Sequence, residues 1–150
     1  MNRFVFRLER LLQLRSKAER ERAQALGRAM RHEEAQRQAL EEAAQRLDRC
    51  GEQISGVLGG VAPAGALTNL GLAVEAAARQ VDSAADSHRE AVGQTDEERE
   101  RFGQARMERR VVERLKEKRQ ADWSLEASRT EQKEMDSVAH NRRASGGTPE

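Results

Sequence analysis

The stretch "VLGGVAPAGALTNLGL" (residues 57–72) interrupts a chain that is otherwise rich in charge. Charged residues make up 35% of the sequence, yet none occurs in residues 53–74. Six of the eleven glycines and one of the two prolines lie in or beside this gap. Because Pro63 cannot continue a helix and glycine accepts unusual backbone angles, the stretch predicts a reversal between two helices. Its apolar side chains either contact a partner or pack on each other.

Apolar and small residues recur at steps of four and three on both sides of this reversal, which is typical of amphipathic helices. The N-terminal stripe slips once by one position, as a hydrophobic repeat that is not strictly seven does on a 3.6-residue helix. Its members are Phe4, Leu8, Leu11, Arg15, Ala18, Arg22, Ala25 and Ala29, then Leu40, Ala44, Leu47, Gly51, Ile54, Leu58 and Val61. The second stripe consists of Leu67, Leu70, Val74, Ala77, Val81, Ala84, His88, Val92, Thr95, Arg99 and Phe102.

The sequence therefore predicts an all-α fold, a long antiparallel two-helix coiled-coil hairpin with a Gly-rich tip. The expected domain is a single hairpin over residues 1–140, with helix one over about 2–57, the tip over about 58–66, helix two over about 67–140 and a disordered tail over 141–150. Folding back near residue 62 would bring Phe4, Phe6 and Trp123 close together at the open end of the hairpin.

Composition favours a thin seam between helices over a thick globular core. Aromatic residues are 3% of the chain and tyrosine is absent, although large side chains supply most of the buried area in a core. Intrinsic disorder is the competing interpretation of so polar a chain, and the periodicity argues against it. No stretch approaches the roughly 18–20 apolar residues that span a bilayer. Cys50 is the only cysteine, which makes the cytoplasm the expected compartment.

Charge is distributed unevenly along the chain. Residues 1–31 carry nine basic and three acidic side chains, residues 50–100 carry three basic and nine acidic, and residues 101–150 carry twelve basic and nine acidic. In a hairpin both basic segments would lie at the open end, and such a dipole can orient the protein in a complementary socket. Acidic residues are interleaved with the arginines throughout, so we expect no nucleic-acid partner and no insertion into a membrane.

No motif predicts catalysis. The glycines near Gly56 are not followed by the lysine of a phosphate-binding loop, and the three histidines are far apart and have no nucleophile beside them. The spacing of cysteine, histidine and carboxylate residues matches no metal site. We therefore expect a protein that is not an enzyme, with no catalytic residues, no cofactor and no metal.

The two ends of the chain carry the most specific motifs. "FRLERLLQLRSKAERERAQALGRA" (residues 6–29) and "ERLKEKRQADWSLEASRTEQKEMDSVAHNRR" (residues 113–143) resemble the N- and C-terminal signatures of the FliJ family of the bacterial flagellar type III export apparatus. The resemblance implies an antiparallel two-helix coiled coil similar to the central stalk of rotary ATPases. It also implies a protein that binds the hexameric export ATPase, promotes ring assembly and activity, and links the ring to the export gate.

By position, the resemblance implies that the ATPase is contacted by Phe4, Arg7, Leu8, Leu11, Leu12, Arg15, Gln132, Lys133, Met135, Asp136 and Ala139. Some of these must face the seam instead, and Leu8 and Leu11 are the strongest seam candidates among them. Contact with the cytoplasmic domain of the export gate protein is assigned to Leu70, Val74 and Val81, although the aromatic residues that the family often uses there are missing.

The expected partners are thus the ATPase hexamer, the gate protein and, as in some members of the family, export chaperones. The chain is expected to be a monomer on its own, in the cytoplasm and peripherally associated with the inner-membrane export apparatus. Three alternatives stay open at this point: a generic coiled-coil adaptor, a homodimeric structural protein, and the equivalent stalk of a virulence-type secretion system.

Overall fold

The structure, a computed structural model, describes residues 3–60 and 63–145, with the side chains of residue 64 and residues 142–145 excluded. It contains two α-helices, α1 (Glu9–Leu58) and α2 (Ala64–Ser145), and no strand among the described residues. The helices pack against each other in opposite directions, as the ion pair between Glu9 near the start of α1 and Lys116 far along α2 shows. The predicted all-α, antiparallel two-helix hairpin is confirmed.

Helix α1 begins later than the sequence predicts, at Glu9 and not near residue 2. Residues 3–6 have no regular secondary structure, and the backbone N–H of Glu9 donates to the carbonyl of Phe6 at 3.1 Å where the helix starts. A tertiary contact accounts for the difference, since the ring of Phe4 packs on Trp123 of α2. Packing of this kind overrides a local preference for helix.

The reversal and the far end of α2 also differ slightly from the predicted bounds. Helix α1 ends at Leu58, and α2 begins immediately after Pro63, whose carbonyl accepts a hydrogen bond from the N–H of Ala66 at 2.9 Å. Proline suits the start of a helix because no N–H is needed there. Helix α2 continues to Ser145, so half of the predicted tail is helical, and residues 146–150 lie outside the described part of the chain.

The glycines of the reversal do not have the backbone angles that the sequence led us to expect. None of the described glycines has a positive φ. Gly51 and Gly56 lie inside α1 and Gly65 lies inside α2, and a Cβ added at any of the three would meet nothing within 4 Å. The break in the helix is therefore attributable to Pro63 and to the low helix propensity of glycine. Each glycine disfavours the helix by about 1 kcal/mol relative to alanine.

The chain divides into two compact units. The middle unit comprises Glu19–Gln104, and the end unit comprises Met1–Ala18 together with Ala105–Glu150. In the middle unit small side chains occupy the most deeply buried positions of the seam between the helices. The buried residues in the described part of this unit are Ala43, Ala77, Ala91 and Thr95, and the Thr95 hydroxyl donates to the carbonyl of Ala91 at 3.1 Å.

The seam residues of the middle unit follow a strict seven-residue repeat, which is the signature of a coiled coil. On α2 the buried or half-buried members are Leu70, Ala77, Ala84, Ala91 and Glu98, and Val74, Val81, His88, Thr95 and Phe102. On α1 the matching series are Leu26, Glu33, Leu40, Leu47 and Ile54, and Ala29, Gln36, Ala43, Cys50 and Val57. The predicted one-residue slip is therefore wrong.

Gly51, Leu58 and Arg99, which the sequence analysis assigned to the stripes, are exposed as a result. Cys50 and Val57 take the seam positions that we assigned to Gly51 and Leu58, and Glu98 takes the position assigned to Arg99. Only 17% of the Glu98 side chain is exposed, and its carboxylate pairs with Arg101 at 2.5 Å and with Arg22 at 3.9 Å. A charged residue is tolerated at this seam position because arginines from both helices reach it.

Candidate partner-binding surfaces

Two ion pairs connect the helices in the end unit. Lys116 of α2 lies 2.7 Å from the carboxylate of Glu9, and Arg15 of α1 pairs with Glu108. All four side chains are between one third and just over one half exposed, so each pair contributes less than about 1 kcal/mol. The pairs show which residues of α1 and α2 lie opposite each other, but they contribute little to the stability of the hairpin.

The N-terminal segment lies against α2 through an aromatic contact. The rings of Phe4 and Trp123 are 6.0 Å apart between centroids and are tilted by 52°, which is a favourable aromatic geometry. The predicted proximity of Phe4 and Trp123 is therefore confirmed. Residues 3–8 and one face of α2 together line an open groove, which we call the end groove. Its α2 side consists of Leu115, Arg119, Asp122, Trp123, Leu125, Glu126 and Arg129.

The N-terminal residues to which the resemblance assigns ATPase contact are divided between seam and surface. Leu12 is half-buried, and Phe4 and Arg15 are half-buried with the partners just described. Leu8 and Leu11, predicted as seam residues, are instead 40% and 36% exposed. The seam runs through Leu12 because this residue continues the seven-residue repeat of α1.

Further exposed apolar residues of the end unit were missed at the sequence level. Leu14 is 57% exposed on α1, and Val111 is 68% exposed on α2. If the seven-residue repeat of α1 is continued back to Leu12, Leu14 falls outside the seam, so the sequence contained a signal for its exposure. Together with Leu8 and Leu11 they give this unit a considerable apolar surface.

The residues of α2 to which the resemblance assigns ATPase contact lie on a part of that helix that has no partner helix within the described residues. Gln132, Lys133, Met135, Asp136 and Ala139 are all exposed, as is every residue from 128 to 141. Met135 and Val138 are 74% and 50% exposed. Residue 132 lies nine positions beyond Trp123, about 13 Å along a helix, so the structure does not bring this set into contact with the N-terminal one.

The three residues assigned to the export gate occupy the seam of the middle unit. Leu70, Val74 and Val81 are half-buried members of the α2 repeat, a position that leaves little of each side chain for a partner. The exposed apolar residues near the reversal are different ones. Leu58 is 67% exposed, Leu72 is 60% exposed and Leu67 is 39% exposed.

Electrostatics of the middle unit are dominated by pairs within one helix. On α1, Arg37 donates two hydrogen bonds to Glu34 at 2.8 and 2.9 Å. These bonds, with a further one from Gln38, lower the pKa of Glu34 from its ordinary 4.5 to about 2, and Glu34 in turn raises the pKa of Arg37. On α2, Arg79, Arg89, Arg99 and Arg101 each pair with a carboxylate three or four residues before them.

Neither a metal site nor a membrane span is found in the described part of the chain. No group of three or more histidine, cysteine, aspartate or glutamate residues there could hold a metal ion. Neither helix, over the residues described, contains an apolar segment long enough to cross a bilayer.

Comparison with known proteins bears on the identity of the chain. Comparison with curated proteins and with solved structures gives no match. Comparison with protein families matches residues 4–147 to the family described as flagellar FliJ protein. That match includes both helices, the reversal and both end motifs. The chain therefore belongs to the FliJ family and is a structural component of the flagellar export apparatus.

Proposed function

We propose that this protein is a non-enzymatic stalk that binds the export ATPase ring, promotes its assembly and activity, and links it to the export gate. The observation that carries the proposal is the surface of the end unit. Leu8, Leu11 and Leu14 are exposed there beside Arg7. Apolar residues next to arginines are the composition typical of protein interfaces.

The exposed part of α2 supplies a second surface for the same partner. Residues 128–141 are exposed around the whole helix, and Met135 and Val138 lie on it as large apolar side chains without a partner in the described residues. A helix in this state offers anchors at helical spacing to a surrounding protein. This is the arrangement expected of a stalk that enters a ring.

Linkage to the gate requires a surface away from the ATPase. Because Leu70, Val74 and Val81 are half-buried in the seam, we assign gate contact to the exposed leucines near the reversal, Leu58 and Leu72. Both lie within the uncharged stretch of residues 53–74. In this proposal the protein is peripherally associated with the inner membrane through its partners, and export chaperones are further ligands.

Two double variants test the proposal because each alters one surface only. Leu11→Gln with Leu14→Gln should abolish stimulation of the export ATPase and weaken pull-down of the ATPase, with gate binding unchanged, since neither residue lines the end groove. Leu58→Gln with Leu72→Gln should weaken binding to the gate protein's cytoplasmic domain and leave ATPase stimulation intact. All four positions are exposed, so circular dichroism should show unchanged helicity.

The outcome that would sink the proposal is full ATPase binding and stimulation by the Leu11 and Leu14 variant. Sedimentation of the unmodified protein provides a separate control. A monomeric mass would exclude the alternative in which the exposed apolar residues pair two copies of the chain.

A further inference from the structure

The end groove has an apolar floor that is only partly covered. Trp123, Leu115 and Leu125 of α2 are 38%, 37% and 54% exposed, and Val5 on the opposite wall is 76% exposed. A contiguous exposed apolar surface rimmed by polar residues is typical of a protein interaction site. The floor is long as well as apolar. Leu115 and Arg129 are 14 residues apart, so the groove extends for about 21 Å along α2.

The charge on the walls of the groove is not neutralised from within. Arg3, Arg7, Arg119 and Arg129 line it with only two carboxylates, Asp122 and Glu126. None of the four guanidinium groups forms an ion pair or side-chain hydrogen bond with any residue in the described ranges 3–60 and 63–145. Four arginines of the middle unit on α2 behave differently, since each pairs with a carboxylate of its own helix.

Apolar and basic side chains alternate along the groove at helical spacing. Leu115, Arg119 and Trp123 are four residues apart, so all three lie on one face of α2. A ligand that matches this face needs apolar side chains toward the floor and carboxylates toward the arginines. A helix of about 14 residues would fill the length of the groove and would pack against α2 as one helix packs on another.

We propose that the end groove binds an acidic amphipathic helix of a partner protein, with its apolar face on Trp123 and its carboxylates on Arg7 and Arg119. A polyanion without apolar side chains would match the arginines but would leave the apolar floor exposed. The proposal goes beyond the ATPase role and does not depend on it, because the site is defined by its own chemistry and can be tested with no export component present.

The single tryptophan provides a direct measurement on the full-length protein. Trp123 is the only tryptophan and there is no tyrosine, so intrinsic fluorescence reports on the floor of the groove alone. The probe is a synthetic 14-residue helical peptide with leucines on one face, glutamates elsewhere and no aromatic residue. Saturable binding should shift the Trp123 emission to shorter wavelength as the peptide covers the ring.

Two charge-reversed variants separate this site from general attraction between charges. Arg7→Glu with Arg119→Glu should weaken peptide binding at least tenfold. Arg110→Glu with Lys118→Glu makes the same change in net charge at exposed positions of the end unit outside the groove, and should alter the affinity less than twofold. Circular dichroism checks that both variants keep their helices.

Any of three results would overturn the proposal. The first is no saturable change in Trp123 emission up to millimolar peptide. The second is equal binding of a peptide with lysine in place of every glutamate, or of polyglutamate. The third is an equal loss of affinity in the groove variant and the control variant. Failure of ATPase stimulation would leave all three measurements unaffected, so the two proposals can fail independently.

Discussion

Ala91 is the residue at which the small-residue seam can be tested most sharply. Its side chain is 1% exposed, and the carbonyl of the same residue accepts the hydroxyl of the fully buried Thr95. Because Ala91 is almost completely buried, little space is left around its methyl group. A larger side chain at Ala91 would have to separate the helices or adopt a strained rotamer.

The expected magnitudes follow from two opposite changes at this position. Ala91→Leu adds three carbons to a closed seam, and overpacking of this kind costs about 1–3 kcal/mol of unfolding free energy. Ala91→Gly loses about 1 kcal/mol of helix propensity and about 0.8 kcal/mol for the buried methyl group. Ala76 of the same helix is exposed and serves as the matched control. There, leucine should be neutral within about 0.5 kcal/mol and glycine should cost only about 1 kcal/mol.

Urea unfolding followed by circular dichroism at 222 nm measures all four variants on one scale. The decisive quantity is the difference between the two leucine variants, because helix propensity is the same at both positions and cancels. If Ala91→Leu unfolds at the same urea concentration as Ala76→Leu, or at a higher one, then the seam is not closed at Ala91 and the reasoning fails.

Three further predictions concern the middle unit. Gly93→Ala should raise the unfolding free energy by about 1 kcal/mol, because Gly93 is helical and an added Cβ meets nothing within 4 Å; an unchanged urea midpoint would contradict this. Arg37→Gln should lower the urea midpoint at pH 7, because the hydrogen bonds of Arg37, with a smaller contribution from Gln38, lower the pKa of Glu34 from its ordinary 4.5 to about 2 in the folded protein. The difference in urea midpoint between this variant and the unmodified protein should be full above pH 4.5 and should disappear as the pH falls through 2. Glu98→Leu should stabilise the unit by about 1 kcal/mol, because one buried carboxylate oxygen has no hydrogen-bond partner in the described residues, and a lower thermal midpoint would refute it.

The hairpin could be predicted because two strong local signals agree. Pro63 breaks the helix within an uncharged stretch, and the spacing of apolar residues on either side is helical over many turns. The contact of Phe4 with Trp123 also followed from folding the chain back near residue 62. Each of these inferences needs only the position of the reversal and the rise of a helix.

The frame of the seam was harder to predict, for a physical reason. Leu8, Leu11, Leu12 and Leu14 fit several seam frames equally well when alanine and polar residues occupy most other positions. Whether Leu12 or a neighbouring leucine faces the seam, and whether Glu98 or Arg99 does, depends on how the two helices pair. The sequence of one helix does not determine this pairing. The candidate binding residues came from a resemblance, and only their exposure in the folded chain distinguishes surface from seam.

The exposed stretch of α2 from residue 128 to 141 has a consequence for the energetics of recognition. A 14-residue stretch of helix whose side chains are all exposed among the described residues is only marginally stable in water. The free energy needed to unfold this stretch locally should therefore be small compared with the free energy of unfolding the whole protein. A partner that binds it must also hold it helical, so part of the binding energy is consumed by ordering. Affinity at this end of the protein would then be set partly by helix propensity, and substitutions that touch no partner could tune it.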